Sequence, residues 1–107
     1  MSKESNDAMV RLIREFGYLR VQRAANYAVT WGYVRSKLGH DPTNVEIKEY
    51  LVMGSGRSLD RQAKAFREVT GERSPAPLLA RAGIDLDEAQ PSELENVGIG
   101  LLPYLAG

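Results

Sequence analysis

The sequence predicts an all-α fold: a small helical domain in which a long N-terminal helix, or two tandem helices, packs on a helix-turn-helix, followed by a short acidic and apolar C-terminal extension. Three observations predict it. No proline interrupts Ala8 to Leu38, where apolar residues recur at helical spacing. Two shorter helix-like runs follow, hinged on Gly54-Ser55-Gly56. The chain has 107 residues and no cysteine, so one domain must hold itself together through packed apolar faces rather than disulfides. Residues 1–73 are read as the helical domain, with the helix-turn-helix at 43–70, and residues 74–107 as an extension carrying a short helix.

In the first run Met9, Leu12, Ile13, Phe16 and Leu19 are succeeded by Ala24, Tyr27, Ala28, Trp31, Val34 and Leu38. Ser5 or Asn6 is placed to cap its start, and Gly39 to end it, with Lys37 facing the carbonyl end of the dipole. Gly17 and Gly32 each cost a helix about 1 kcal/mol relative to alanine, and a break is expected near Gly17. Tyr27 and Trp31 lie one turn apart like a base-stacking pair, but their place on an apolar stripe predicts core. His40 has no second histidine or cysteine to work with and reads as a turn residue.

The next helix starts at Asp41-Pro42-Thr43. Either Asp41 caps it with Pro42 as first residue, or Thr43 caps it and Glu46 completes a capping box. Val45, Ile47, Tyr50 and Leu51 are expected to form its buried face, and it stops around Met53 to Gly54. Ser55 or Ser58 then caps a third helix. On a wheel of about 100° per residue, Leu59, Ala63, Phe66 and Val69 gather on one side and Arg57, Arg61, Lys64 and Arg67 on the other. Gly71 ends this helix. Beyond it, SPAPLLARAG is a linker with at most one short helical turn, and a short helix is expected from Pro91 or Ser92 to Gly98. The closing IGLLPYLAG is apolar enough to need cover, from its own core or from a second subunit.

Formal charge sums to zero, yet residues 1–73 carry 13 Lys and Arg against 9 Asp and Glu, a balance of +4, and residues 74–107 carry −4. A phosphate-seeking surface can come only from the front. The partition also raises an arrangement in which the acidic tail lies over the basic helix in cis. Enzymatic chemistry is not expected: there is one histidine, no cysteine, and no phosphate-binding, nucleophile-elbow or zinc-protease motif. Asp85, Asp87 and Glu88 lack the glycine of a calcium-binding loop and read as a solvated acidic face. No metal or cofactor is implied. No stretch approaches transmembrane length, the N-terminus lacks a leader-like apolar core, and cysteine is absent, which fits a reducing, cytoplasmic setting.

The stretch KLGHDPTNVEIKEYL followed by SGRSLDRQAKAFRE resembles the helix-turn-helix DNA-binding proteins, in the wording of sigma-factor-like and bacterial or phage transcriptional regulators. The resemblance covers residues 37–69. Lys48 departs from it, standing where the family has a small residue, and so does the hinge, whose glycines fall later and lengthen the turn. The resemblance implies a sequence-specific regulatory protein that reads double-stranded DNA with residues 57–70 as recognition helix. It puts Arg57, Ser58 and Arg61 at the base-reading end, with Ser55 at the helix start, and Lys64 and Arg67 on the backbone. Thr43 and Asn44 would donate to phosphate oxygens. Arg11, Arg14, Arg20 and Arg23 either widen that electrostatic footprint or simply form a solvated face. Homodimers on paired half-sites are usual for readers of this size. A second expectation is a protein-interaction module whose partner docks on residues 74–107.

Overall fold

A computed structural model describes residues 3–51, 56–88, 101, 104 and 105. Among them the fold is all-α, with helices α1 (Lys3–Phe16), α2 (Tyr18–Leu38), α3 (Asn44–Leu51), α4 (Gly56–Thr70) and α5 (Ala76–Arg81), and no strand. Val52 to Ser55, including most of the glycine hinge, and the helix expected at 91–98 lie outside the described residues.

The N-terminal run is two helices. Gly17 adopts φ 89° and ψ 147°, a conformation open essentially to glycine alone, and one residue is enough to redirect the chain. Gly32, the other candidate, is buried within α2 without breaking it. At the far end Gly39 is left-handed (φ 78°) and its N–H donates to the Arg35 carbonyl, closing α2 as a C-terminal glycine does. The start differs from expectation: α1 begins at Lys3, so Ser5 and Asn6 lie inside it rather than capping it.

The two proposed starts of α3 resolve in favour of Thr43. Its N–H donates to Glu46 Oε1 (3.0 Å) and the Glu46 N–H donates back to Thr43 Oγ1 (3.1 Å), a reciprocal capping box. Asp41 instead accepts from Arg35 Nε at 2.9 Å. The expected buried face of α3 needs correction, because only Ile47 is buried and Val45 is 61% exposed. Val45 lies two residues, about 200° of helix, from Ile47 and cannot share its face. Tyr50, on the Ile47 side, sets its ring edge-on to Tyr33 at 6.4 Å.

Helix α4 starts at Gly56, which places Ser58 within its first turn and not at its cap. Its apolar side lies against α2: Leu59, Ala63, Ala65, Phe66 and Val69 are buried in one cluster with Val21, Ala24, Ala25, Tyr27, Ala28, Trp31 and Val34. Alanines on both helices let the backbones approach, while Phe66 fills the space beside Tyr27, ring centroids 5.6 Å apart. Between α3 and α4 the side chains of Lys48 and Asp60 pair at 3.0 Å, so an ion pair occupies the place where a close crossing would put a small residue.

Gly71 (φ 73°) ends α4 and turns the chain. The six residues of α5 exceed the single turn expected; Pro77 is tolerated because it sits in the first turn, where its missing N–H has no helical acceptor. Leu78, Leu79, Leu101 and Leu105 join the same buried cluster as α1, α2 and α4. These leucines of the extension are thus covered by the protein's own core. Arg35 ties the extension to α2, its Nη2 donating to Asp87 Oδ1 at 2.8 Å while its Nε holds Asp41. The hydrogen bond from Arg35 to Asp87, with Asp41 contributing, raises the guanidinium pKa above its ordinary value.

Candidate nucleic-acid interface

The outer face of α4 is a polar arc bounded on both sides by buried positions. Asp60, Arg61, Lys64, Arg67 and Glu68 are all exposed, and together they span about 120° of the helix circumference. One edge of this arc borders α2. There Arg20 and Arg23 of α2 and Arg61 and Lys64 of α4 surround a shallow groove of about 210 Å³ floored by Ala65, with Glu68 the only acidic residue among its described walls. Glu68 is shared between Arg20 (3.2 Å) and Lys64 (4.0 Å). Arg23 and Arg61 have no carboxylate within salt-bridge distance among the described residues. A single carboxylate amid four cations leaves the groove net positive, and the exposure of these pairs keeps their mutual attraction weak.

The other edge of the arc borders a larger cleft. Tyr27 and Trp31 of α2, the Asp41–Asn44 corner, Asp60, Ala63 and Arg67 of α4, and Arg73 and Ser74 beyond Gly71 enclose about 710 Å³. The Tyr27 hydroxyl donates to Asn44 Oδ1 at 2.7 Å, which fixes the Asn44 side chain on the cleft wall. Burial pushes the Tyr27 phenol above its ordinary pKa, against the opposing pull of the nearby Arg67 charge and the Asn44 hydrogen bond. Tyr27 and Trp31 are 5% and 3% exposed, so they form a floor and present no free ring face on which a base could stack.

The residues singled out in the sequence therefore separate. Arg61 and Lys64 face the α2–α4 groove, and Thr43, Asn44 and Arg67 line the cleft on the other flank. Ser58 is exposed in the first turn of α4. Ser55 and the side chain of Arg57 lie outside the described residues. Arg20 and Arg23 join the groove, whereas Arg11 and Arg14 are exposed on α1 and line neither recess. Arg73 and Ser74 were not singled out: they follow the helix-ending glycine, and only the left-handed turn at Gly71 shows that the chain folds back beside Arg67. The acidic residues Asp85 and Asp87 interact away from α4. Asp85 Oδ1 accepts from the Asp87 N–H (3.0 Å), and Asp87 holds Arg35 at the end of α2.

No family model, curated protein or solved structure gives a significant match to this chain. No helix among the described residues is long and apolar enough to cross a membrane.

Proposed function

We propose that the protein is a regulatory DNA-binding protein that lays the exposed arc of α4 against duplex DNA, with the α2–α4 groove following the phosphate backbone. The observation that carries this reading is the groove itself: Arg20, Arg23, Arg61 and Lys64 converge from two helices on one recess with one carboxylate between them. Arg61 lies near the N-terminal half of α4, where a helix in the major groove reaches base edges, and its planar guanidinium suits the paired acceptors of guanine. Arg20 and Arg23, set back on α2, suit phosphate oxygens. The acidic residues on the arc reduce this charge without cancelling it, since Asp60 is paired to Lys48 outside the groove and Glu68 alone faces the four groove cations.

Selection of bound duplexes from a random pool, followed by mobility shift at graded salt, tests the reading. Enrichment of a consensus is expected, and its symmetry would report whether two copies bind paired half-sites. The Arg23→Ala/Arg61→Ala variant should bind roughly ten- to a hundredfold more weakly and lose about two units of salt slope. Wild-type affinity with an unchanged salt slope in that variant would remove the groove from the interface.

A further inference from the structure

We propose that the cleft between the α2–α3 corner and the C-terminal half of α4 binds a small phosphate monoester, its phosphate held by Arg67 and Arg73 and its compact body filling the recess above the closed floor of Tyr27, Trp31 and Pro42. This goes beyond DNA binding and does not depend on it, because the cleft lies on the opposite edge of the α4 arc from the Arg61–Lys64 groove.

Size is the first ground. At about 710 Å³ the cleft falls within the range of roughly 300–1,000 Å³ usual for small-molecule sites. Its lining is more polar than apolar: Tyr27, Trp31, Pro42 and Ala63 form a floor, and the walls above it are polar or charged, which suits a ligand recognised mainly through its charge and hydrogen bonds.

Charge is the second. Four charged residues line the cleft, and each of the two acids is engaged by a cation outside it: Asp41 by Arg35 at 2.9 Å, which it shares with Asp87, and Asp60 by Lys48 at 3.0 Å. Arg67 and Arg73 have no carboxylate partner among the described residues, so the charged groups of the cleft left without a partner are its two guanidiniums.

Donor capacity is the third. Thr43 Oγ1 and Ser74 Oγ each accept a backbone N–H, from Glu46 (3.1 Å) and Ala76 (3.2 Å), which leaves each hydroxyl proton to donate. Two guanidiniums and two hydroxyls supply more donors than a carboxylate's two oxygens use, and they match the three terminal oxygens of a phosphate. Asn44, its Oδ1 engaged by the Tyr27 hydroxyl, keeps its amide N–H₂ to donate to the body of the ligand.

Trp31 is the sole tryptophan of the chain and lies in the cleft floor, so its fluorescence reports occupancy directly. Titration of the full chain with phenyl phosphate should give a saturable change in Trp31 emission by about 10 mM, the affinity range of a few weak contacts. Inorganic phosphate, lacking the body, should bind about tenfold more weakly, as should phenyl phosphate to Arg67→Ala or Arg73→Ala. Both arginines are exposed, and far-UV circular dichroism of the variants verifies that they fold. No saturable response in the wild-type chain, or an unchanged one in both variants, overturns the proposal. So does a third result, in which phenyl phosphate is silent while Arg67→Ala and Arg73→Ala weaken duplex binding, since the cleft would then take a backbone phosphate. The Arg23→Ala/Arg61→Ala variant should keep the phenyl phosphate response whether or not it loses DNA, which separates failure here from failure of the DNA reading.

Discussion

On one flank of α4, Arg61 and Lys64 meet Arg20 and Arg23 over a shallow groove of about 210 Å³; on the other, Arg67 meets Arg73 over a cleft of about 710 Å³. The groove sets four cations against one carboxylate and the cleft two arginines against two aspartates, and their floors differ as well. The groove rests on Ala65, a side chain too small to fill the space between α2 and α4, and its charges stand in solvent where they suit a long polyanion. The cleft rests on two nearly buried aromatic rings and is the roomier of the two, though no less open to solvent. Charge balance and the residues beneath the charge together distinguish the two recesses.

The largest expected effect abolishes the comparison altogether. Phe66 is fully buried behind both recesses, and Phe66→Ala should cost about 3–5 kcal/mol of stability, read from the urea unfolding midpoint. Next comes the Arg23→Ala/Arg61→Ala pair, which should weaken DNA binding roughly ten- to a hundredfold while costing less than about 1 kcal/mol of stability, since Arg61 is exposed and Arg23 only partly buried. A stability loss several times larger would show that the groove arginines hold the fold and not a ligand.

Smaller changes sharpen the cleft side. Tyr27→Phe should cost about 1 kcal/mol at neutral pH by leaving Asn44 without its donor. The same substitution has a pH signature. The folded protein holds the Tyr27 proton more tightly than the unfolded chain does, so the associated stability is complete below pH 10.0 and lost as pH rises through the elevated folded value. Wild-type stability should therefore fall more steeply than that of Tyr27→Phe in alkaline urea titrations, and parallel curves would refute the buried-phenol account. Thr43→Ala, which opens the capping box at the cleft rim, should cost about 1 kcal/mol. Asp87→Asn should change stability by less than about 1 kcal/mol, because its pairing with Arg35 is at the surface.

Much of the fold was legible because it rests on local rules. The stripe from Ala24 to Val34, the opposite stripe from Leu59 to Val69, and the glycines at 17, 39 and 71 each encode periodicity or a left-handed backbone within a few residues of sequence. Short helices were harder. Val45 looked like a buried residue because it is apolar, and the three apolar neighbours in an eight-residue helix left too little periodicity to exclude it. Ser5, Asn6 and Ser58 have the chemistry of caps, yet the helices begin before them.

The sequence by itself determined the all-α class, the break at Gly17, the Thr43–Glu46 capping option and the two-sided character of α4, since each depends on residues less than a few turns apart. Tertiary structure alone decided which charges share a surface. Arg23 and Arg61 lie far apart in the chain and meet only because alanines let α2 and α4 pack closely; Arg67 and Arg73 meet across a cleft only because Gly71 turns the chain back. Periodicity fixes the face of a helix on which a residue lies, but what that face meets is set by long-range packing, and so the grouping of Arg61 with Arg67 on one basic side gave way to two separate recesses.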